Sequence, residues 1–534
     1  MKGILPGSLE EREYSKRVIR ELRDYTDWVK FTSLPVYTWS SKCLVETREA
    51  SYDCVALPYS PSVEVDLKPA SIKILESPTK ARELAGDEVV LVKYPESAPE
   101  LKWLYYTISS RGAKLVVFFT DGDFVKADTV LGTPGFSFNP STPPRVPAIC
   151  VSSRLAKLVR EQPATLRVKS DLGVGETVVV LAGINGPSER EVHITSYRDT
   201  IIGDHMKTTT SLLLRLASSL NKTSPPCNVI LISTTAREVG DFQFTEYHVT
   251  WGLRYLLELL EARGDLSRVH VALALGPIHS EERIRITIHP LLKRAALTAL
   301  SIAETNINLD YNHAQLESYI YLNKGIPAVT LTSLPYTWWC HNSTLNCSRH
   351  DLGTVTPDLA KRLLATILEH DYTNSPRELE DYIIGSLREA SVEARSIVLR
   401  IRSLSRILST RDYIREATRL GYSILYTACN YPFKVSLNAD ILVELSENSL
   451  RTLRDVLEEC RGDLLIGTGD WYISAHSIET GSKKLFLRAF TEKIIKNRNI
   501  IIDNSITRYL CVSAFKGSNY GVEEYRNKQI RELQ

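Results

Sequence analysis

The chain has 534 residues, and its 65 Lys and Arg nearly balance its 63 Asp and Glu, leaving a formal net charge of +2. So small a net charge argues against a dominant nucleic-acid surface or a polybasic membrane surface. With 43% hydrophobic and 24% charged residues, the composition is that of a globular protein that can bury several cores, which excludes a disordered or fibrous chain.

Targeting signals and cysteine usage give the expected compartment. No apolar run reaches the roughly 18 residues that a membrane helix needs, and the N-terminus lacks the apolar core of a signal peptide, so we expect a soluble, cytoplasmic protein. Only 2 Met beside abundant Arg, Glu and Ile fit a thermophilic source, where intracellular disulfides occur. The nine Cys include no CxxC pair, but Cys340 and Cys347 share one loop and could pair.

The first part of the chain begins with a helix and continues as alternating strands and helices. Residues 8–30 are predicted to form an amphipathic helix, with Ser8 as its N-cap and Glu11 three residues later in a capping-box pattern. Between residues 66 and 160, short apolar runs of buried-strand length alternate with helical segments. The predicted strands there are 89–92, 115–119 and 146–151, and the predicted helices are 97–110 and 152–161.

From about residue 175 a second alternation of strands and helices begins. This pattern predicts an α/β domain with a largely parallel sheet, covered by helices on both faces, and a site at the carboxyl ends of the strands. The predicted strands are 177–181, 191–195, 228–233, 269–275 and 328–331, and the predicted helices are 207–220, 245–262, 291–304 and 357–370. Beyond residue 375 we expect charged helices over 376–420 and 445–460, and a strand near 508–514.

Three polar segments that follow predicted strands carry the functional signal. The first, 196–206, runs into a helix; the second, 234–240, contains the pair Arg237–Glu238; the third begins at 325 and leads to Trp338, Trp339, Cys340 and His341. The sequence has no GxSxG elbow, HExxH motif or phosphate-binding loop, so it does not indicate a serine hydrolase, a thermolysin-like protease or a P-loop enzyme.

In their order and spacing these segments resemble the co-catalytic zinc exopeptidases, most closely the branch of glutamate carboxypeptidase and the transferrin receptor. Residues 66–160 resemble the inserted protease-associated (apical) domain of that branch, and the stretches 485–490 and 508–521 resemble the end of its C-terminal domain. The resemblance implies four segments. They are an N-terminal part of the peptidase-like domain (1–65), the apical domain (66–160), the peptidase-like α/β domain (161–375) and a mainly helical, dimerising C-terminal domain (376–534).

The resemblance also implies a dinuclear zinc site from which several residues are missing. The family holds two zinc ions with a His, a bridging Asp, a Glu, a second Asp and a last His, and uses another Glu as general base. Tyr197 stands at the first His, although Asp199 two residues on is kept, and Arg237 stands at the general base. The second Asp falls near Ala274 or Leu275, neither of which can bind a metal.

One metal position keeps a chemically sensible set of ligands. The bridging position falls on His205, or on Asp204 if the alignment is one residue out. Glu238 keeps the ligand Glu, and His341 best matches the last His, with the pair His350–Asp351 as competitor. Two His and one Glu suit a single zinc ion. The alternative is that Glu238 pairs with the neighbouring arginine and that the histidines are ordinary polar residues of a cleft.

Weaker candidates surround these positions. Gly203 and Gly240 are expected to permit turns, and His193, in the middle of a predicted strand, is expected to belong to the core. Trp338 and Trp339 would either line a ligand pocket or pack into the core. His279 lies outside the site motifs.

The leading functional hypothesis is a pseudoenzyme, a non-catalytic or weakened exopeptidase relative that binds peptides or proteins as a scaffold. Arg stays protonated and cannot take a proton from water, so the dinuclear mechanism should be absent. We expect a homodimer through the C-terminal domain, and no nucleic-acid or membrane partner.

Two alternatives remain open. The first is a mono-zinc aminopeptidase or carboxypeptidase using His205, Glu238 and His341. There Arg237 would bind a substrate carboxylate or the oxyanion, and Tyr197 or Asp199 would be recruited as base. The second is a structural subunit of a larger assembly.

Overall fold

A computed structural model describes two compact units, which are treated separately below. The first comprises 1–137, 141–379 and 410–419, and the second comprises 138–140, 380–409 and 420–534. The described residues are 3–76, 78–131, 142–203, 206–242, 250–279, 284–300, 307–311, 316–334, 336–345, 355–369, 376–386, 408–415, 417–418, 434–436, 440–444, 464–468, 471–478, 484–488 and 509–511. Among them, no helix has both the length and the apolar character needed to cross a bilayer.

The first unit is an α/β structure. Its helices are α1 (Leu9–Arg23), α2 (Ala98–Ser110), α3 (Ser153–Glu161), α4 (Met206–Leu220), α5 (Trp251–Ala262), α6 (Lys293–Leu300), α7 (Glu317–Asn323) and α8 (Val355–Glu369), and α9 (Pro376–Ser386) spans the boundary to the second unit. Its strands are β1 (Trp28–Glu46), β2 (Ser51–Ala56), β3 (Val63–Leu67), β4 (Ile72–Leu75), β5 (Val89–Lys93), β6 (Leu115–Phe119), β7 (Ala148–Val151), β8 (Ala164–Ile184), β9 (Glu191–Tyr197), β10 (Asn228–Thr234), β11 (Val269–Leu275), β12 (Ile284–Ile288), β13 (Ile307–Asp310) and β14 (Ala328–Thr332).

The described strands of this unit form one sheet in the order β13-β12-β14-β11-β9-β10-β8-β1-β2-β7-β6-β5-β4, and β3 pairs with β8 off that path. Its centre is parallel, because β14, β11, β9 and β10 all run the same way. Antiparallel neighbours flank this centre, with β8 and β1 on one side and β12 on the other. The predicted parallel sheet is therefore confirmed in its middle, and the complete sheet is mixed.

The long strands β1 and β8 connect the two halves of the sheet. They pair antiparallel along the whole of β1, from Trp28 opposite Gly183 to Glu46 opposite Thr165. Beyond them, β7, β6, β5 and β4 form a second parallel group, with β2 antiparallel to β7. This group and the helices α2 and α3 confirm the strand–helix alternation predicted for 66–160. A disulfide between Cys43 and Cys54 joins β1 to β2, which the sequence analysis did not anticipate.

Most of the predicted elements of this unit are confirmed, but some of their predicted ends differ from the observed ones. Ser8 caps α1 by accepting a hydrogen bond from the Glu11 backbone N–H at 3.1 Å. The predicted helix over 8–30 is too long, because α1 ends at Arg23 and β1 begins at Trp28. The short elements β12, β13 and α7 were not predicted, since each is too short to show a clear period.

In the second unit, the described strands form an antiparallel sheet. They are β15 (Lys434–Ser436), β16 (Asp440–Glu444), β17 (Leu464–Thr468), β18 (Trp471–Ile478), β19 (Lys484–Arg488) and β20 (Tyr509–Cys511), in the order β15-β16-β19-β18-β17-β20. The strand predicted near 508–514 is confirmed by β20. Every described residue after 420 lies in a strand, while the helix predicted over 445–460 lies outside the described residues, so the mainly helical C-terminal domain stays a prediction.

A buried ion pair fixes α1 to the sheet. Arg198 Nη2 lies 2.8 Å from Glu11 Oε1, and both side chains are fully buried. Arg198 also donates to Ser15 Oγ at 2.8 Å and to the Ser233 carbonyl at 2.7 Å, while Thr177 Oγ1 donates to Glu11 Oε2 at 2.6 Å. The pair is thus surrounded by partners that replace the lost water, as a buried charge requires.

Removing one member of this pair should destabilise the fold strongly. We expect Arg198→Met to lower the free energy of unfolding by about 3–5 kcal/mol, because Glu11 would be left buried without its counter-charge. The matched control is Arg17→Met, which removes an exposed pair with Glu21 on the same helix and should cost at most about 1 kcal/mol. Urea denaturation of the three proteins measures the difference, and equal losses in the two variants would contradict the role given to Arg198.

Candidate functional site

The predicted site residues lie at the carboxyl ends of the parallel strands. Tyr197 ends β9, Arg237 and Glu238 follow β10, and His341 follows β14 after a short 3-10 turn over Trp338–Cys340. Because neighbouring parallel strands end at the same edge, these segments meet although they are far apart in the chain. The structure thus brings those predicted site residues that it describes to the predicted edge of the sheet, and their role as a functional site stays a prediction.

Unusual backbone conformations shape the turns that carry these side chains. Ala236, directly before Arg237, has a φ of +55°, which non-glycine residues rarely adopt and which often marks a functional or tightly constrained position. Gly240 (φ +106°) and Gly203 (φ +86°) take conformations that favour glycine, and a Cβ on Gly203 would lie 2.9 Å from the Ser343 carbonyl oxygen. Both glycines therefore permit turns, as predicted.

Arg237 lies at the centre of the site, between two carboxylates. Its Nη1 donates to Glu238 Oε1 at 2.6 Å, and its Nε donates to Glu317 Oε1. The guanidinium carbon lies 4.7 Å from the centroid of the Tyr197 ring, in cation–π geometry. Arg237 is 1% exposed, so the cation is held entirely by protein groups. The sequence analysis anticipated the contact with Glu238 but not Glu317.

The Glu238 carboxylate receives two further donors. His341 Nε2 lies 2.6 Å from Oε1, and Asn342 Nδ2 donates to Oε2. Burial lowers the pKa of His341 well below its usual value, and the charge of Arg237 adds to that effect, so the ring is neutral. Burial raises the pKa of Glu238, while Arg237 and Asn342 oppose that shift. Since a carboxylate oxygen only accepts, His341 carries its proton on Nε2.

Asp199 holds the turn that carries Arg237. Its Oδ2 accepts the Arg237 backbone N–H at 2.9 Å, and Oδ1 has no hydrogen-bond partner in the part of the chain that the structure describes. Burial raises the pKa of Asp199 to about 7. The other predicted base, Tyr197, is 1% exposed, and burial raises the pKa of its phenol well above the usual value.

A second buried ion pair reaches the site from the segment between β6 and β7. Lys126 Nζ lies 2.9 Å from Asp128 Oδ2 and 3.7 Å from the centroid of the Trp338 ring, and it also donates to the His341 carbonyl. Tyr94 donates its hydroxyl to Asp128 Oδ2 at 2.7 Å. Lys126 and Asp128 are fully buried, so they fix the loop that carries His341.

The sequence analysis missed this second pair, although its signal is visible. Lys126 and Asp128 stand in the run from Phe124 to Leu131, which is apolar apart from them and Thr129, and a charged pair in such a run indicates burial. It also missed His279, which was placed outside the site motifs but whose ring centroid lies 5.7 Å from that of His341.

The weaker candidates take structural roles. Trp339 packs with ring centroids 6.2 Å from Tyr94 and 6.1 Å from Phe124, so packing is favoured over a ligand pocket. His193 is 1% exposed and lies 3.4 Å from the Tyr321 hydroxyl, which confirms it as a core residue. Cys340 is disulfide-bonded, and its predicted partner Cys347 lies outside the described residues.

The described residues, as they are arranged, do not fit a metal ion. Of the three predicted zinc ligands, Glu238 and His341 are brought together, but Arg237 Nη1 lies 2.6 Å from Glu238 Oε1 and 3.4 Å from His341 Nε2, where a cation would bind. No group of three or more possible ligands occurs within the described ranges. His205, and the alternatives Asp204 and His350–Asp351, lie outside them.

Comparison with known proteins identifies the fold. No family model and no curated protein matches the sequence. A peptidase M28 precursor from Shewanella amazonensis matches with a TM-score of 0.52 at 14% identity, over 69% of this chain and 89% of that one. BSAP, a zinc aminopeptidase from Bacillus subtilis, matches with a TM-score of 0.52 at 13% identity, over 68% and 90%. The chain thus has a zinc-exopeptidase-like fold, and the narrower branch stays a prediction.

The site predicts a pH dependence of stability. Burial lowers the pKa of His279 from 6.5 to about 3 in the folded protein. Between those values the unfolded chain binds a proton that the folded protein does not, so stability is lost as the pH falls below 6.5. Replacing His279 with Gln should reduce the pH slope of the unfolding free energy by up to about 1.4 kcal/mol per unit.

This slope is measured by urea denaturation at pH values from 7 to 5. Asp199 acts in the opposite direction, because its raised pKa favours the folded state at low pH, but it is present in both proteins and cancels in the comparison. Parallel pH profiles for wild type and His279→Gln would contradict the burial of an uncharged His279.

Proposed function

We propose that this protein is a non-catalytic relative of the zinc exopeptidases in which a buried, arginine-centred ion-pair network takes the place of the metal centre. We further propose that it acts as a peptide- or protein-binding scaffold. The observation that carries the proposal is the position of Arg237, whose guanidinium contacts Glu238 and Glu317 and approaches His341.

Electrostatics support this assignment. A divalent cation about 4 Å from the Arg237 guanidinium would be repelled by about 8 kcal/mol at an effective dielectric constant of about 20. Zinc binding at Glu238 and His341 would therefore require Arg237 to leave the buried contacts it makes. That movement would also leave Glu317 buried without the cation, which is itself costly.

The proton-transfer chemistry of a hydrolase is also missing from the described site. Arg237 cannot act as a base, and the protonated Tyr197 phenol cannot accept a proton from water. Asp199 is 3% exposed and holds the Arg237 backbone with one of its two oxygens. This burial and this contact support the proposal that Asp199 does not activate water for attack on a peptide bond.

Metal content tests the proposal directly. After zinc loading and exhaustive dialysis, wild-type protein should retain far less than one zinc per chain, because Arg237 already neutralises Glu238. Elemental analysis of wild type and of Glu238→Ala gives the measurement, and the variant should hold no less zinc than wild type. Near one zinc per chain in wild type, lost in Glu238→Ala, would overturn the proposal.

That contrary result would favour the second candidate, a mono-zinc exopeptidase. The 2.6 Å contact between His341 Nε2 and Glu238 Oε1 favours it, because two of the three predicted ligands are already adjacent. His205 would supply the third, and Arg237 would have to turn toward the substrate. Such an enzyme should release a terminal residue from peptides in a zinc-dependent manner.

Stability gives an independent test of the network. Arg237→Met should lower the free energy of unfolding by about 3–5 kcal/mol, since two buried carboxylates lose their cation. Arg268→Met is the matched control, because Arg268 pairs with Asp265 at 2.6 Å but its side chain is 51% exposed. Urea denaturation of both variants gives the comparison, and a loss below about 1 kcal/mol in Arg237→Met would show that the network does not stabilise the fold.

The proposal also includes the finer assignments of domains, oligomeric state and compartment. The resemblance to the branch of glutamate carboxypeptidase and the transferrin receptor supports an apical domain over 66–160 and a homodimer formed through 376–534. In that arrangement a cytoplasmic protein would present the apical surface to its partner. The alternative, a structural subunit of a larger assembly, would differ from this scaffold only in keeping its partner permanently bound.

A further inference from the structure

The helical face around α4 carries a groove that the candidate site does not use. It has a volume of about 830 Å³ and is lined by residues of α1, of α4 and of the start of α8, together with Tyr25 and Lys222. The described residues of its lining include five cationic side chains and two carboxylates, of which Glu21 pairs with Arg17 at 2.7 Å. The cations are Arg17, Lys207, Arg215, Lys222 and Lys361. This concentration of positive charge contrasts with the nearly neutral chain.

Three of the cations, Lys207, Arg215 and Lys222, lie along α4 or just past its end. From Lys207 to Lys222 the groove follows the length of α4, about 22 Å at ~1.5 Å per residue. Arg215 stands between them, so successive cations on α4 are about 10–12 Å apart. A single phosphate group cannot bridge such distances, and the arrangement instead suits an extended chain that carries several negative charges.

The stretch of groove along α4, about 22 Å, sets the length of such a chain. An extended peptide of about six or seven residues has the same length, at ~3.4 Å per residue. In that conformation, acidic side chains four residues apart lie on one face of the chain, about 14 Å apart, close to the spacing of the cations.

The remaining lining also favours a peptide over a nucleic acid. Single-stranded nucleic acids are bound by exposed aromatic rings on which bases stack. The aromatic residues of the described lining are Tyr14 and Tyr25, both only partly exposed. The serine hydroxyl groups of the lining, by contrast, can donate to backbone carbonyls of a peptide.

We propose that the groove formed by α1, α4 and α8 binds an extended acidic segment of a partner protein. The inference names a partner class for the scaffold role proposed above. It does not depend on the absence of zinc, because the groove lining contains none of the candidate metal ligands. Electrostatic attraction would speed the encounter, and the hydroxyl groups between the cations would hold the peptide backbone.

Fluorescence anisotropy tests the proposal with labelled peptides of about ten residues, at ~3.4 Å per residue long enough to fill the groove. One peptide carries Glu at every fourth position, and its control has Gln at the same positions. We expect the acidic peptide to bind at least about tenfold more tightly than the control, with an affinity that falls as salt rises.

Charge reversal identifies the binding surface. Lys222→Glu combined with Lys361→Glu should weaken binding of the acidic peptide by about tenfold or more, since both exposed side chains line the groove. The matched control is Lys157→Glu combined with Arg160→Glu on the exposed face of α3, and it should change affinity less than about twofold. Circular dichroism of each variant confirms that the fold is kept.

Three results would overturn the inference. They are equal binding of the acidic and Gln peptides, unchanged affinity in the Lys222–Lys361 variant, or tighter binding of single-stranded oligonucleotides than of the acidic peptide. Repeating the titration with zinc and with a chelator separates this inference from the proposed function. Zinc retention by the protein with intact peptide binding would remove the metal-free assignment and leave the groove proposal standing.

Discussion

The contact between the Arg237 guanidinium and two buried carboxylates is the interaction on which the site depends. Glu238 follows the same strand as Arg237, whereas Glu317 begins α7, and His341 lies in the loop after β14. One cation therefore joins three segments of the chain, and Tyr197 covers its face. A metal ion in an exopeptidase site joins strand ends in the same way, so the network can replace the structural part of that role.

Such a network is stable only when its members are satisfied together. A buried charge that loses its partner costs several kcal/mol, so each carboxylate around Arg237 requires the cation and the cation requires both. The Lys126–Asp128 pair extends the same rule to the loop of His341, because Lys126 holds both Asp128 and the His341 carbonyl. A substitution in one of these two ion-pair groups should therefore change how much the other group contributes to stability, as expected for coupled polar groups.

Sequence reasoning recovered the repeating elements and the edge of the sheet where the site lies, because both follow from local periodicity and from parallel topology. It paired Arg237 with Glu238 because the two are neighbours in the chain. It could not find Glu317, which is 80 residues from Arg237 and lies on a helix of only seven residues. The contact of Lys126 with the His341 carbonyl was missed for the same reason, because the two residues are 215 positions apart. Long-range contacts of single side chains leave no periodic signal.

The burial of the network also bears on where function can reside. A catalytic centre must admit a substrate, but Arg237, Glu238 and His341 are each less than 8% exposed. A protein that uses this centre as a structural element no longer needs an entrance to it, and its binding surfaces can then lie elsewhere on the fold. The cationic groove along α4 is such a surface, because it faces solvent and its charges are not used by the buried network. Under the proposed function, recognition at such a surface takes the place of catalysis at the buried centre.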